Sequence, residues 1–128
     1  MERLGIIMHG VTGRMGMNQH LLRSILPLRD EGGLLLADGS RVAIDPIIVG
    51  RNAAKIRALA EAHGIARWTT DLDAALADPD DTIFFDAGST RMRAGLLRRA
   101  IDAGKHVYCE KPIAESLEEA LTIARHAQ

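Results

Sequence analysis

Nine residues near the N-terminus, Met8-His9-Gly10-Val11-Thr12-Gly13-Arg14-Met15-Gly16, constrain this chain more than any other stretch. They follow a short apolar run, residues 4–9, and lead into a helical pattern that puts Leu21, Leu22, Ile25 and Leu26 on one stripe before Pro27 closes it. Strand, glycine turn and helix in that order is the opening of an open α/β sheet. Glycines at such a turn let backbone N–H groups approach a pyrophosphate at the helix N-terminus. The spacing here is G-x-x-G-x-x-G, one residue longer than the G-x-G-x-x-G dinucleotide fingerprint.

The rest of the chain continues the alternation. Residues 34–36 and 41–44 flank Asp38-Gly39 and predict an inserted hairpin closed by a type I′ turn, in which both central residues take positive φ. Ile47-Ile48-Val49 predicts the second sheet strand, with Pro46 at its start, where a missing N–H does least harm. Asn52 is placed to cap a helix carrying Ile56, Leu59, Ala60 and His63, and Gly64 stops it. Further strands are expected at 65–68, 82–85 and 107–109, with Asp78-Pro79-Asp80-Asp81 as a turn. Helices are expected from Thr70 to Ala77, from Ser89 or Thr90 through Ile101, and after a Ser116/Glu119 capping box. The pattern predicts an α/β fold: a Rossmann-like doubly wound parallel sheet with a hairpin insertion between the first helix and the second sheet strand. Residues 1–128 show no linker or repeat and read as one dinucleotide-binding domain.

Composition narrows the function classes. A net charge of -1 gives no sign of nucleic-acid affinity. With only 3% aromatic residues the core must come from Leu, Ile, Val, Ala and Met, which suits a sheet covered on both faces. The one cysteine, Cys109, excludes an internal disulfide and reads as a small buried hydrophobe; the five histidines show no metal-ligand spacing, so no metal is expected. Without an apolar run of about 18 residues or a signal-peptide pattern, a soluble, cytoplasmic setting with no membrane partner is expected.

Three further stretches fall at strand ends, where an open parallel sheet gathers its ligand contacts. Val49-Gly50-Arg51-Asn52 lacks the acid that usually holds the adenosine ribose; Arg51 can instead pair with a 2′-phosphate and Asn52 can add a donor, which favours NADP over NAD. The alternative is a solvated arginine near a helix start. Ala87-Gly88-Ser89 either approaches the cofactor or simply caps the next helix. Glu110-Lys111-Pro112 sets a carboxylate and an ammonium side by side, open between a structural ion pair and a contact to a substrate hydroxyl or a ribose. Arg91, Arg93, Arg98, Arg99 and Lys105 read as a mostly solvated helix face opposite an apolar one.

The segment Ala103-Gly104-Lys105-His106-Val107-Tyr108-Cys109-Glu110-Lys111-Pro112 resembles the A-G-K-H-V-x-x-E-K-P signature of the glucose-fructose oxidoreductase and inositol dehydrogenase (Gfo/Idh/MocA) family. The resemblance extends to residues 59–64, 71–73 and 116–120, and so covers most of the chain. It implies that the glycine loop (Gly10, Thr12, Gly13, Arg14, Met15, Gly16), the strand-end loop Ala87, Gly88 and Ser89, and Glu110 and Lys111 hold NADP or NAD, beside the Arg51 and Asn52 already read from the strand end. It also implies that Lys111 is the catalytic residue nearest hydride transfer to or from a sugar, polyol or related hydroxy compound. Three features depart from the family. The loop Gly10-Val11-Thr12-Gly13-Arg14-Met15-Gly16 is closer to the G-x-x-G-R-M-G of dihydrodipicolinate reductases. The family's T-P-x-x-x-H falls on Gly88-Ser89-Thr90-Arg91-Met92-Arg93 with threonine, proline and histidine all replaced. Family members also continue into a C-terminal substrate domain, expected to be absent here. The resemblance therefore implies a chain that binds the dinucleotide without turnover, meets a small-molecule substrate only with that further domain, and forms a homo-oligomer over its uncovered apolar surface. A non-enzymatic nucleotide-binding or assembly module and a dihydrodipicolinate-reductase-like enzyme are the alternatives.

Overall fold

The computed structural model describes residues 2–14 and 16–128. It begins with β1 (Glu2–His9), which runs through the glycine loop into a π-type helix (Gly16–Ile25) continued by α1 (Leu26–Asp30). The elements that follow are β2 (Leu34–Leu35), β3 (Arg41–Val49), α2 (Ala53–Ala62), β4 (Arg67–Thr69) and α3 (Leu72–Ala77). The chain then adds β5 (Asp81–Asp86), α4 (Thr90–Asp102), β6 (His106–Cys109) and α5 (Leu117–His126). Strands β4, β3, β1, β5 and β6 lie side by side in that order, all parallel, and β2 pairs antiparallel with β3. The chain thus builds outward from β1 through β3 to β4 and returns to place β5 on the other side of β1. The reversal leaves a crevice at the C-terminal ends of β1 and β5.

Alternation along the strands sorts the core into two layers. Ile6, Met8, Ile48 and Phe85 point to one face and pack with Leu21, Leu26, Ile56 and Leu59 of the π-type helix, α1 and α2. Ile7, Val49 and Phe84 point to the other and pack with Leu76, Leu97, Ala100 and Ile123 of α3, α4 and α5. Helices therefore cover both faces, as the parallel sheet requires.

Local expectations differ from the structure at several places. The expected hairpin and the expected second strand share an arm, because residues 41–44 and 47–49 form the single strand β3. Pro46 sits inside that strand opposite Ile6 of β1, and on the strand's other side it falls in the gap between the segment paired with β2 (Arg41, Val42) and the segment paired with β4 (Ile47, Ile48, Val49). The hairpin turn is not type I′. Only Gly39 takes positive φ (86°), while Asp38 accepts hydrogen bonds from the Ser40 N–H and hydroxyl. Pro27 does not end the first helix, since it occupies the opening turn of α1, where its missing N–H is unused. Asp71 rather than Thr70 caps α3 by accepting from the Ala74 N–H, and the third sheet strand lies at Arg67–Thr69, two residues beyond its expected start. Asn52 and Ser116 cap α2 and α5 as read, accepting from the N–H groups of Lys55 and Glu119.

Asp81, expected in a turn, is fully buried as the first residue of β5. Arg67 of β4 grips it through two donors at 2.8 and 2.9 Å and reaches Asp45 of β3 at 3.2 Å. Arg3 of β1 adds a bond to Asp81 at 3.0 Å and another to Asp45. Gly5 leaves the room for this cluster, because a Cβ there would collide with the Asp81 carboxylate. Four parallel strands are thereby tied together at the end of the sheet opposite the crevice. Replacing the carboxylate, Asp81→Asn, is expected to cost about 2 kcal/mol through its lost charge-assisted bonds, read as a lower urea midpoint with an unchanged slope.

Candidate dinucleotide site

The crevice is a cleft of about 270 Å³ lined by residues from three strand ends. His9, Gly10, Thr12 and Gly13 come from β1 and its loop, Val49, Gly50 and Arg51 from the end of β3, and Ala87, Gly88, Ser89 and Met92 from the end of β5 and the start of α4. The glycines are there for space. Gly10 has φ of 81°, and a Cβ on it would collide with the backbone of Ala87 and Gly88. A Cβ on Gly16 would strike the Gly10 carbonyl. Gly13 is different: a Cβ there would meet only the Gly10 oxygen, at 3.5 Å, so its bareness serves the cleft rather than the packing. The Gly13 carbonyl accepts from the Met17 N–H at 2.9 Å, so the loop passes directly into the helix.

The sequence-derived residues divide into two sets. Gly10, Thr12, Gly13, Arg51, Ala87, Gly88 and Ser89 line the cleft. Arg14 is exposed beside it, Gly16 is buried behind it, and Asn52 spends its side-chain oxygen on capping α2. Glu110 lies outside the lining and accepts a bond from His20 Nε2. Lys111 is exposed and, among the described residues, makes no hydrogen bond. Met15 lies outside the described residues.

Behind the cleft is a polar cluster that the sequence reading missed. Asp86, fully buried at the end of β5, accepts from His9 Nδ1 at 2.8 Å, from the Gly88 N–H at 3.0 Å and from Arg93 Nε at 2.9 Å. Arg93 belongs to the buried side of α4 and not to its solvated face; Arg91, Arg98 and Arg99 are exposed as expected. Its remaining bonds run to the carbonyls of Gly88 (2.8 Å), Glu110 (2.9 Å) and Pro112 (2.6 Å). A signal was available, since Arg93, Leu96, Leu97 and Ala100 recur at i, i+3, i+4 and i+7 and place the arginine on the apolar stripe.

Burial pushes the Asp86 carboxyl up, but His9, the Gly88 N–H and Arg93 outweigh it and hold it below the ordinary carboxylate range. As an ionised acceptor it requires the proton of His9 on Nδ1. Cys109 is half-buried beside the second core layer, and burial pushes its thiol up, which keeps it protonated and unreactive. Among the described residues no three metal-ligating side chains gather, and no helix is long and apolar enough to cross a membrane. A second cavity of about 250 Å³, lined by Ile6, Ile25, Ile83, Phe85, Tyr108, His20 and Ser24, is largely apolar and lacks a phosphate-sized polar surface.

A doubly wound parallel sheet with a glycine loop at its switch point defines a Rossmann-type dinucleotide-binding domain. Residues 7–128 match the family model described as "Oxidoreductase family, NAD-binding Rossmann fold", and the chain belongs to that family, Gfo/Idh/MocA. It is 59% identical over 120 residues to a D-xylose dehydrogenase of Paenarthrobacter nicotinovorans, covering 94% of this chain and 31% of that protein. Among solved structures, a levoglucosan dehydrogenase in complex with NADH and levoglucosan superposes with a TM-score of 0.79 at 23% identity, over 98% of this chain and 32% of that one. A 3-ketoreductase from Actinomadura kijaniata in complex with NADP has a TM-score of 0.71 at 21% identity, over 98% and 34%. These two likenesses show the fold. The chain spans about a third of the length of the proteins it matches. The loop Gly10-Val11-Thr12-Gly13-Arg14-Met15-Gly16 is thus a variant found within this family.

Because the folded Asp86 carboxyl titrates below the unfolded one, its stabilisation is fully present above about pH 4 and is lost as pH falls through the folded value. Asp81 behaves alike: burial raises its carboxyl, but Arg67 and Arg3 hold it low. Asp86→Asn should cost about 3 kcal/mol at pH 7 by stranding Arg93 and should flatten the acid limb of a plot of urea midpoint against pH.

Proposed function

We propose that this chain is the cofactor-binding part of an NAD(P)-dependent oxidoreductase that acts on a sugar, polyol or related hydroxy compound. The observation that carries the reading is the cleft at the switch point, where Gly10, Gly13 and Gly88 present bare backbone to a volume reached also by Arg51. A pyrophosphate fits the glycine loop at the start of the π-type helix, with Thr12 as a hydroxyl donor. The dinucleotide, when bound, supplies the hydride-transferring ring. This chain's own residues orient that ring from the Ala87-Gly88-Ser89 loop, and Lys111 with Glu110 serves the reacting end. Names of relatives support a carbohydrate substrate, a D-xylose dehydrogenase and a levoglucosan dehydrogenase among them. Substrate contacts then come from a further domain. The exposed Tyr108, Leu117 and Leu121 offer apolar surface for such a domain or for self-association.

The preference for NADP rests on Arg51, exposed at the cleft wall where an acid would otherwise hold the ribose hydroxyls. Asn52, with its oxygen committed to the Lys55 N–H, keeps its amide NH2 as a neighbouring donor. Titration of the chain with NADPH and NADH, followed by nicotinamide fluorescence, is expected to saturate with both. Gly13→Ala should leave the melting temperature unchanged and abolish the binding. No saturable change by folded wild-type protein overturns the cofactor reading. Arg51→Asp should weaken NADPH by roughly tenfold or more, as expected for one lost charge-assisted contact, and leave NADH nearly unaffected; equal losses overturn the role of Arg51.

A further inference from the structure

Arg93 is the largest fully buried side chain among the described residues, it is not used by the cofactor reading, and its bonds are distributed in an informative way. Four bonds leave one guanidinium: one to the Asp86 carboxylate, one to the Gly88 carbonyl, and two, both from Nη1, to the carbonyls of Glu110 and Pro112. Those two carbonyls bracket Lys111. The peptide unit that precedes the lysine and the one that follows Pro112 are therefore held by the same nitrogen, while Lys111 itself stands exposed with no hydrogen bond among the described residues. Glu110 is held again by its N–H on the Asp86 carbonyl at 2.9 Å and by its side chain on His20. The anchor of this arrangement is rigid. Arg93 leaves the first turn of α4, Asp86 ends β5, and the Asp86 carboxylate is also bonded to His9 at the wall of the cleft.

We propose that Arg93 is a positioning residue for Lys111: it fixes the backbone on both sides of the lysine to the same carboxylate that holds the cleft wall, so that the ammonium is presented at one place relative to the bound dinucleotide. The inference rests on the reading of Lys111 as a cofactor-contacting residue. Only a planar fork meets all four acceptors. A lysine at 93 gathers its donors on one atom and can serve Asp86 or the paired carbonyls, but not both. Its charge would keep Asp86 ionised while the hold on residues 110 and 112 is released.

The test is a double-mutant cycle on dinucleotide affinity in the full chain, with Arg93→Lys, Lys111→Ala and the double variant, read by nicotinamide fluorescence with NADH and with NADPH. Each single variant is expected to weaken binding about tenfold, and the double variant no further, because a displaced lysine and a missing one are equivalent. The backbone amide resonance of Lys111 should move in Arg93→Lys while those of Leu97 and Ile123 stay in place. Arg93→Gln, a neutral planar donor, repeats the cycle should the lysine variant not fold. Additive losses of about a hundredfold in the double variant, an unmoved Lys111 resonance, or a folded Arg93 variant with unchanged affinity overturns the role of Arg93 alone. Failure of both Arg93 variants to fold overturns it too, since Arg93 would then be a folding residue only. A Lys111→Ala variant that binds normally, or a wild-type chain that binds neither dinucleotide, overturns the functional reading and this inference with it.

Discussion

The buried pair Arg93–Asp86 is the interaction on which the working end of this molecule depends. Neither charge reaches solvent, so each survives in the interior only because the other, and a full set of hydrogen bonds, is present. Through that requirement the pair joins three stretches distant in sequence: the end of β1 at His9, the stretch from the loop after β5 at Gly88 into the first turn of α4, and the backbone around Lys111. A parallel sheet offers no covalent shortcut between the ends of its strands. A low-dielectric ion pair with directional bonds supplies the connection that apolar packing cannot, because packing fixes volume but not orientation.

A second ionic cluster marks the opposite end of β5. Asp81 with Arg67, Arg3 and Asp45 ties β5, β4, β1 and β3 where the strands start. Between the two clusters the sheet is apolar on both faces. The division of labour follows from geometry. The lower cluster is partly open at Arg3 and Arg67 and fixes strand alignment, whereas the upper one is closed and lies directly behind the cleft, so its bonds shape the surface a ligand meets.

Much of this was legible in the residues. The glycine loop, the amphipathic stripes of α2 and α4, the caps Asn52 and Ser116, and the stop at Gly64 are local features, and each element formed where they placed it. What could not be read was long-range. Residues 41–44 and 47–49 look like two strands because Pro46 divides them; they are one because β1 pairs with residues 42–49 without a break, Ile6 lying opposite the proline. Asp81 looked like a turn residue because its partners, Arg67 and Arg3, lie 14 and 78 positions away. Arg93 shares its charge with the solvated arginines of α4 but its helical phase with Leu96, Leu97 and Ala100, and the phase decides its burial because Asp86 supplies the counter-charge.

The sequence by itself determined the class of fold and the position of the glycine turn after β1, since short-range sterics of glycine and the 2.0 and 3.6 residue periods act within a few residues of chain. Only the tertiary structure decided which glycines serve packing and which serve the cleft, and where the buried charges would find their partners. The free spacing at Gly13 and the crowding at Gly10 and Gly16 are identical in sequence terms and differ through the approach of Ala87 and Gly88 to Gly10 and through the fold of the loop that brings the Gly10 carbonyl onto Gly16. Burying a charge is tolerable only where a counter-charge is delivered by folding, and that delivery is a property of the assembled sheet.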